Sequence, residues 1–120
     1  MSDGLILRDG SAGGWIEPYL AGLRKGRAIA AQCTCGRVSL PPERTCPLCR
    51  NPVAQWVTLP GTATLIHRAT GADGDVALVR LDGATTASVA VLQGFTAESI
   101  GRVVAAPADR PYLILAPVRP

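Results

Sequence analysis

The sequence predicts a mainly β protein: an N-terminal helix, a rubredoxin-like cysteine ribbon built to hold zinc, and a five-stranded barrel of the OB type. Three observations carry this. All four cysteines of the 120-residue chain lie in one stretch, CTCGRVSLPPERTCPLC, from Cys33 to Cys49. Ahead of it, WIEPYLAGLRK sets Trp15, Ile16, Tyr19, Leu20 and Leu23 at spacings of one, three and four, the period of an amphipathic helix. After it come five short runs rich in Val, Leu, Ile and Thr, which read as strands.

The expected organisation is a flexible leader over 1–14, the helix over 15–28, the ribbon over 29–56 and the barrel over 57–120. Pro18 suits the first turn of the helix. The apolar stripe of that helix has only the cysteine module or another protein to bury against, and packing on its own domain is the ordinary outcome. In the barrel, GTATLIHRAT, DVALVRLD and ATTASVAVLQG are the first three strands. TGADGD turns the chain between the first two, and Asp82-Gly83 is a tight hairpin signal between the second and third. GFTAESIG offers Thr96 as the cap of a short helical turn that Gly101 ends. RVVAAPAD and PYLILAPVRP supply the last two strands. Five strands with a helical turn before the fourth suit a small Greek-key barrel. A two-layer sandwich is the alternative, and the residues from 57 onward are few for one.

Composition narrows the class. The chain is 48% hydrophobic but only 4% aromatic, so its core must be built from Val, Leu, Ile and Ala. Eleven arginines and one lysine against nine acids give a net charge of +3, with the arginines spread from Arg8 to Arg119. A dedicated nucleic-acid binder shows a denser basic patch, whereas arginine forks suit the phosphates of a nucleotide or coenzyme. MSDGLILRDGSAGGW lacks the basic start and sustained apolar run of a secretory signal. No window approaches the roughly 20 apolar residues that span a bilayer. A cytoplasmic protein is expected, where thiols serve more often as metal ligands or catalysts than as disulfides.

Cys46-Pro47-Leu48-Cys49 is a knuckle that aims two thiolates at one metal, and Cys33 with Cys35 supplies a second pair. Two pairs joined by a short loop match a tetrahedral zinc site of Cys33, Cys35, Cys46 and Cys49. The first pair departs from the usual spacing. It reads C-x-C, and with Gly36 in place after Cys35, the slot for its first cysteine falls on Gln32, one residue before Cys33. Hydrogen bonds to the C-x-C sulfurs are expected to be poorer. A redox CPxC motif competes, but it opens a helix within a βαβ pattern, and none is visible. A catalytic zinc needs an open position and a nearby acid or base, and four sulfurs leave neither. The metal is therefore expected to be structural, supplying folding free energy to a small module. His67, the single histidine, reads as a surface residue of a strand with no nucleophile beside it. GSAGG lacks the strand and helix that give a phosphate loop its meaning. Alone, the chain does not read as an enzyme.

The succession of the helix over Trp15 to Arg27, QCTCGRVSLPPERTCPLC, the aromatic-bearing QWVTLPGTATL and a barrel closing in LAPVRP resembles the acyl-CoA-associated zinc ribbon and OB-fold family known as domain of unknown function 35. The resemblance covers residues 15–120. Arg50 stands where that family often has a glycine after the second knuckle. Members look like non-catalytic companions of thiolase-superfamily proteins: thiolases, acyltransferases and the lipid-transfer-protein-like aldolases of lipid metabolism. The resemblance implies a subunit that docks on a thiolase-fold partner in a hetero-oligomer, with the ribbon and helix near the coenzyme A path and the barrel helping to hold or pass on acyl-CoA. Under this reading Trp15, Ile16, Tyr19, Leu20 and Leu23 are docking candidates, and Arg24, Lys25, Arg27 and Arg37 are candidate contacts to coenzyme A phosphates. The rival is a module for single-stranded nucleic acid, since zinc ribbons and OB folds both hold single strands. Against it, the barrel region holds only Phe95 and Tyr112 as aromatics and balances five arginines with five acids. Neither nucleic acid nor membrane is expected as a partner.

Overall fold

The computed structural model of the protein describes residues 12–53, 55–72 and 74–119. Helix α1 spans Ala12–Arg24, so residues 12–14, expected in the leader, form its first turn; the rest of that leader lies outside the described residues. The earlier start moves Pro18 from the first turn into the helix interior, where it has no N–H to give to the carbonyl four residues back. The helix stops in a Schellman motif. Gly26, with φ of 73°, takes the left-handed position, its N–H donates to the Leu23 carbonyl, and the Arg27 N–H reaches the Gly22 carbonyl at 2.8 Å.

Three short strands follow: β1 (Ile29–Gln32), β2 (Val38–Ser39) and β3 (Gln55–Thr58), in the antiparallel order β2-β1-β3. Ala31 sits between Ser39 on one side and Trp56 on the other. The helix lies against β1 at Gly22, where an added Cβ would stand 2.5 Å from Ile29 Cγ1. Only a residue without a side chain allows that approach.

The remaining strands, β4 (Thr62–Gly71), β5 (Gly74–Leu81), β6 (Ser88–Leu92), β7 (Ile100–Val103) and β8 (Ile114–Pro117), close into a barrel of order β4-β5-β6-β8-β7. β6 and β8 run parallel and every other pair is antiparallel, the strand order of an OB fold. Alternation decides the faces, as expected for a half-buried sheet. Ala77, Val79 and Leu81 of β5 point inward while Val76, Leu78 and Arg80 point out. Ala63, Ala77 and Ala90 share the interior with Val79, Leu81, Leu92 and Leu115. At Gly101 a Cβ would lie 2.7 Å from Phe95 Cζ, so the one phenylalanine packs where a side chain would otherwise stand.

Two turn expectations need correction. Asp82-Gly83 does begin a turn, with the Ala84 N–H donating to the Leu81 carbonyl, but β6 starts only at Ser88. The intervening residues run alongside β2 instead: the Thr85 N–H donates to the Val38 carbonyl, and the Thr85 and Thr86 hydroxyls accept from the Val38 and Leu40 N–H groups at 3.0 Å each. The Thr86 and Ser88 hydroxyls both donate back to the Leu40 carbonyl. This strap of hydroxyls ties ribbon to barrel, and Leu40, fully buried, joins one core shared by both. GFTAESIG, read as a helical turn, forms none. Glu98 reaches back to accept from the Thr96 N–H at 2.7 Å and its hydroxyl at 3.0 Å, closing the turn with a side chain.

Glu98 also accepts from Arg119 Nε at 2.6 Å. The Arg119 guanidinium first, then the Thr96 N–H, hold its carboxyl down at about 2. A depressed carboxylate stabilises the fold above the ordinary glutamate pKa of about 4.3, and this contribution is lost as pH falls from there through about 2. Glu98→Gln is expected to flatten the acid limb of the thermal-stability profile between those values, read by calorimetry.

Candidate metal centre

The four cysteine sulfurs are brought together by two turns of unequal length. In the first, the Cys33 N–H donates to the Arg37 carbonyl and the Gly36 N–H to the Cys33 carbonyl, both at 2.9 Å. In the second, the Cys46 N–H donates to the Asn51 carbonyl at 3.0 Å and the Arg50 N–H to the Cys46 carbonyl at 2.9 Å. Each bond of the first turn spans one residue fewer. That shortening accommodates C-x-C opposite C-x-x-C, leaves Gln32 in β1, and still delivers Cys33 to the cluster.

All four Sγ atoms lie within 4.8 Å of one another, with Cys33 to Cys49 at 3.1 Å and Cys35 to Cys46 at 3.6 Å. Sulfurs around a tetrahedral zinc, at bonds of about 2.3 Å, stand about 3.8 Å apart. None is in a disulfide. Backbone N–H groups aim at every sulfur: Cys35 at Cys33, Arg37 at Cys35, both Leu48 and Cys49 at Cys46, and Asn51 at Cys49. Cys33 thus receives one where Cys46 receives two, the poorer bonding expected of the C-x-C pair.

These donors shape ionisation. The Cys35 N–H and then the Cys49 thiol lower Cys33 to about 6. Cys46 is lowered by the N–H groups of Cys49 and Leu48, against the effect of burial. Although the Asn51 N–H favours its thiolate, Cys49 is pushed up to about 12, chiefly because Cys33 takes the hydrogen bond from its thiol. Four sulfurs this close share charge poorly unless a cation sits among them. The donor set therefore fits a metal ion, and Cys33, Cys35, Cys46 and Cys49 are the residues that can hold it.

Arg50 follows the second knuckle with φ of 65°, the left-handed position that Gly36 fills with φ of 99° after the first. A non-glycine residue there costs about 1 kcal/mol. Arg50→Gly is expected to raise stability by about that amount in denaturant titration, with the metal content unchanged.

The other candidate residues scatter. The Trp15 ring, on the second turn of the helix, packs tilted against Trp56, centroids 5.6 Å apart, with the Arg44 guanidinium 5.9 Å from its ring. Leu23 is buried in the core and Tyr19 packs against it; Ile16 and Leu20 are half-buried. The helix thus spends much of its stripe on its own chain. Of the four candidate phosphate contacts, Arg24 pairs with Glu17 at 2.7 Å and Arg37 makes a two-pronged pair with Glu43 at 2.8 and 3.2 Å, while Lys25 and Arg27 are exposed. His67 is exposed on β4 beside Leu78. Sequence reasoning did not find an apolar groove of about 410 Å³ between helix, ribbon and barrel, lined by Tyr19, Pro41, Leu78, Val89 and Tyr112. Its outer wall is made of strand residues that alternate outward, a pattern that signals exposure but not concavity. No described helix is long and apolar enough to cross a membrane.

A four-cysteine ribbon fused to an OB barrel through one shared core is the class that fold and site define. Among solved structures, it is the fold of domain-of-unknown-function-35 (DUF35) proteins. One from Sulfolobus solfataricus, of unknown function, aligns with a TM-score of 0.64 at 16% identity over 85% of this chain and 84% of its own. A second, described as the Ltp2-ChsH2(DUF35) aldolase, aligns with a TM-score of 0.62 at 21% identity over 96% of this chain and 98% of that one. No family model matches the sequence, and no curated protein matches it.

Proposed function

We propose that this chain is a non-catalytic accessory subunit that docks on a thiolase-superfamily partner, a thiolase, an acyltransferase or a lipid-transfer-protein-like aldolase, and helps to bind or channel acyl-CoA. The observation that carries the reading is the likeness of fold, over nearly the full length of both chains, to a DUF35 chain of an aldolase. The cysteine cluster supports it. A closed set of four sulfurs with no histidine or carboxylate among them suits a structural zinc ion and leaves no open position for substrate. Bound there, zinc would act as a cross-link between the two turns. The partner would supply the reacting groups. Of the four candidate phosphate contacts, Lys25 and Arg27 are the exposed ones that could meet coenzyme phosphates, and the apolar groove beside Tyr19 offers a surface to an acyl chain. We place the complex in the cytoplasm.

The test is co-expression with a thiolase-fold protein encoded beside it. The expected result is a stable hetero-oligomer whose turnover of acyl-CoA exceeds that of the partner alone. If the chain stays a well-behaved monomer and the partner reaches full activity without it, the reading is wrong.

A further inference from the structure

The net charge of the protein is not evenly laid out. Residues 24–58 hold Arg24, Lys25, Arg27, Arg37, Arg44 and Arg50 against a single acid, Glu43, whereas the residues beyond hold five arginines against five acids. Glu43 is already engaged by Arg37. Arg44 and Arg50, which flank the second knuckle, are exposed and make no ion pair with a described carboxylate. Between them Leu48 is 70% exposed, more than any other large hydrophobic side chain among the described residues. An isolated exposed leucine is ordinary on a surface. This one differs in being held out by its backbone: the Leu48 N–H points at the Cys46 sulfur, Cys46 and Cys49 belong to the cluster, and the stem of the turn is closed by a bridge between Thr45 and Pro52. Arg44 is steadied in turn by the Trp15 ring.

We propose that the second cysteine knuckle is a contact surface for an acidic protein face, with Leu48 entering an apolar recess and Arg44 and Arg50 meeting carboxylates around it. Charge complementarity sets the sign of the partner, and a tip ordered before contact loses little freedom on binding. The choice of protein over nucleic acid follows from the aromatics. Single strands need open ring faces to stack on, whereas Trp15 and Trp56 are half-buried and tilted against each other, Arg44 lies over the Trp15 ring, and Leu48 has no ring to offer. The inference rests on the proposed function only for who the partner is; the chemistry of the surface is read from this chain alone.

The experiment uses the full chain and two readouts. In the first, the thiolase-fold partner is titrated with wild type, Leu48→Ser, Arg50→Gly and, as a control on the outer face of β4, Ile66→Ser. The expected result is a loss of about tenfold or more in affinity for both knuckle variants, a shallower salt dependence for Arg50→Gly, and no change for Ile66→Ser. Because Arg50→Gly relieves backbone strain, its loss of binding cannot be put down to unfolding. Knuckle variants that bind as tightly as wild type overturn the inference. If wild type does not bind that partner at all, the accessory-subunit reading fails, and the second readout decides this one: retention on immobilised poly(L-glutamate) against immobilised poly(uridylate). Salt-sensitive retention on poly(L-glutamate) that falls in an Arg44→Gln, Arg50→Gly double variant upholds it. Retention unchanged in that variant, or stronger on poly(uridylate), overturns it.

Discussion

Stripping the metal from the purified protein is expected to unfold the ribbon. Zinc binding to small four-ligand modules is worth about 10–16 kcal/mol in apparent free energy, far more than three short strands with a few buried alanines can replace. The chain carries its own reporter, since both tryptophans, Trp15 and Trp56, pack together against the ribbon and the barrel has none. Zinc should be found at one ion per chain. A chelator combined with a thiol-blocking reagent should release it and shift tryptophan emission to the red. Cys46→Ser, at a buried ligand with two N–H groups aimed at its sulfur, should reduce the bound zinc severely. A protein that purifies without metal and keeps its tryptophan emission would show that the four thiols suffice as packing.

Leu40→Ala is expected to be the most damaging single truncation outside the cluster. Leu40 is fully buried where ribbon meets barrel, and leucine-to-alanine changes at such sites cost about 3–5 kcal/mol. For a chain of this size that is a large share of a total near 5–15 kcal/mol. Thr86→Val keeps the shape but leaves the Leu40 N–H without its 3.0 Å acceptor, at about 1–3 kcal/mol. Urea unfolding followed by tryptophan emission and by far-ultraviolet dichroism separates the two cases. If Leu40→Ala costs less than about 1 kcal/mol, the shared core does not hold the two parts together.

What could be read in the sequence follows from how local the signal is. The barrel strands were legible because apolar alternation is set by the pleat and needs no knowledge of the neighbour. The cysteine cluster was legible because ligand identity and spacing carry the geometry, and even the C-x-C pair declared its departure. The helix start was missed because Ala12, Gly13 and Gly14 join a helix weakly and carry no periodic apolar mark. Gly26, the left-handed end of the helix, is a glycine of the type that signals such an end in a sequence. Thr85 and Thr86 read as part of a strand because nothing local says that their hydroxyls serve β2, more than forty residues earlier. Thr96 and Glu98 are capping residues by type, and the same chemistry that caps a helix closes a plain turn. The arginines show the limit most plainly: charge is written in the sequence, but which guanidinium is spent on Glu17 or Glu43 is a matter of folding.

The hydroxyl strap has a consequence for assembly. Thr85, Thr86 and Ser88 grip β2 from the barrel side, so the ribbon is no pendant finger on a hinge. It is a rigid bracket. A partner that seized the knuckle would at once fix the heading of the barrel and its groove, and with it the angle at which any cargo is presented.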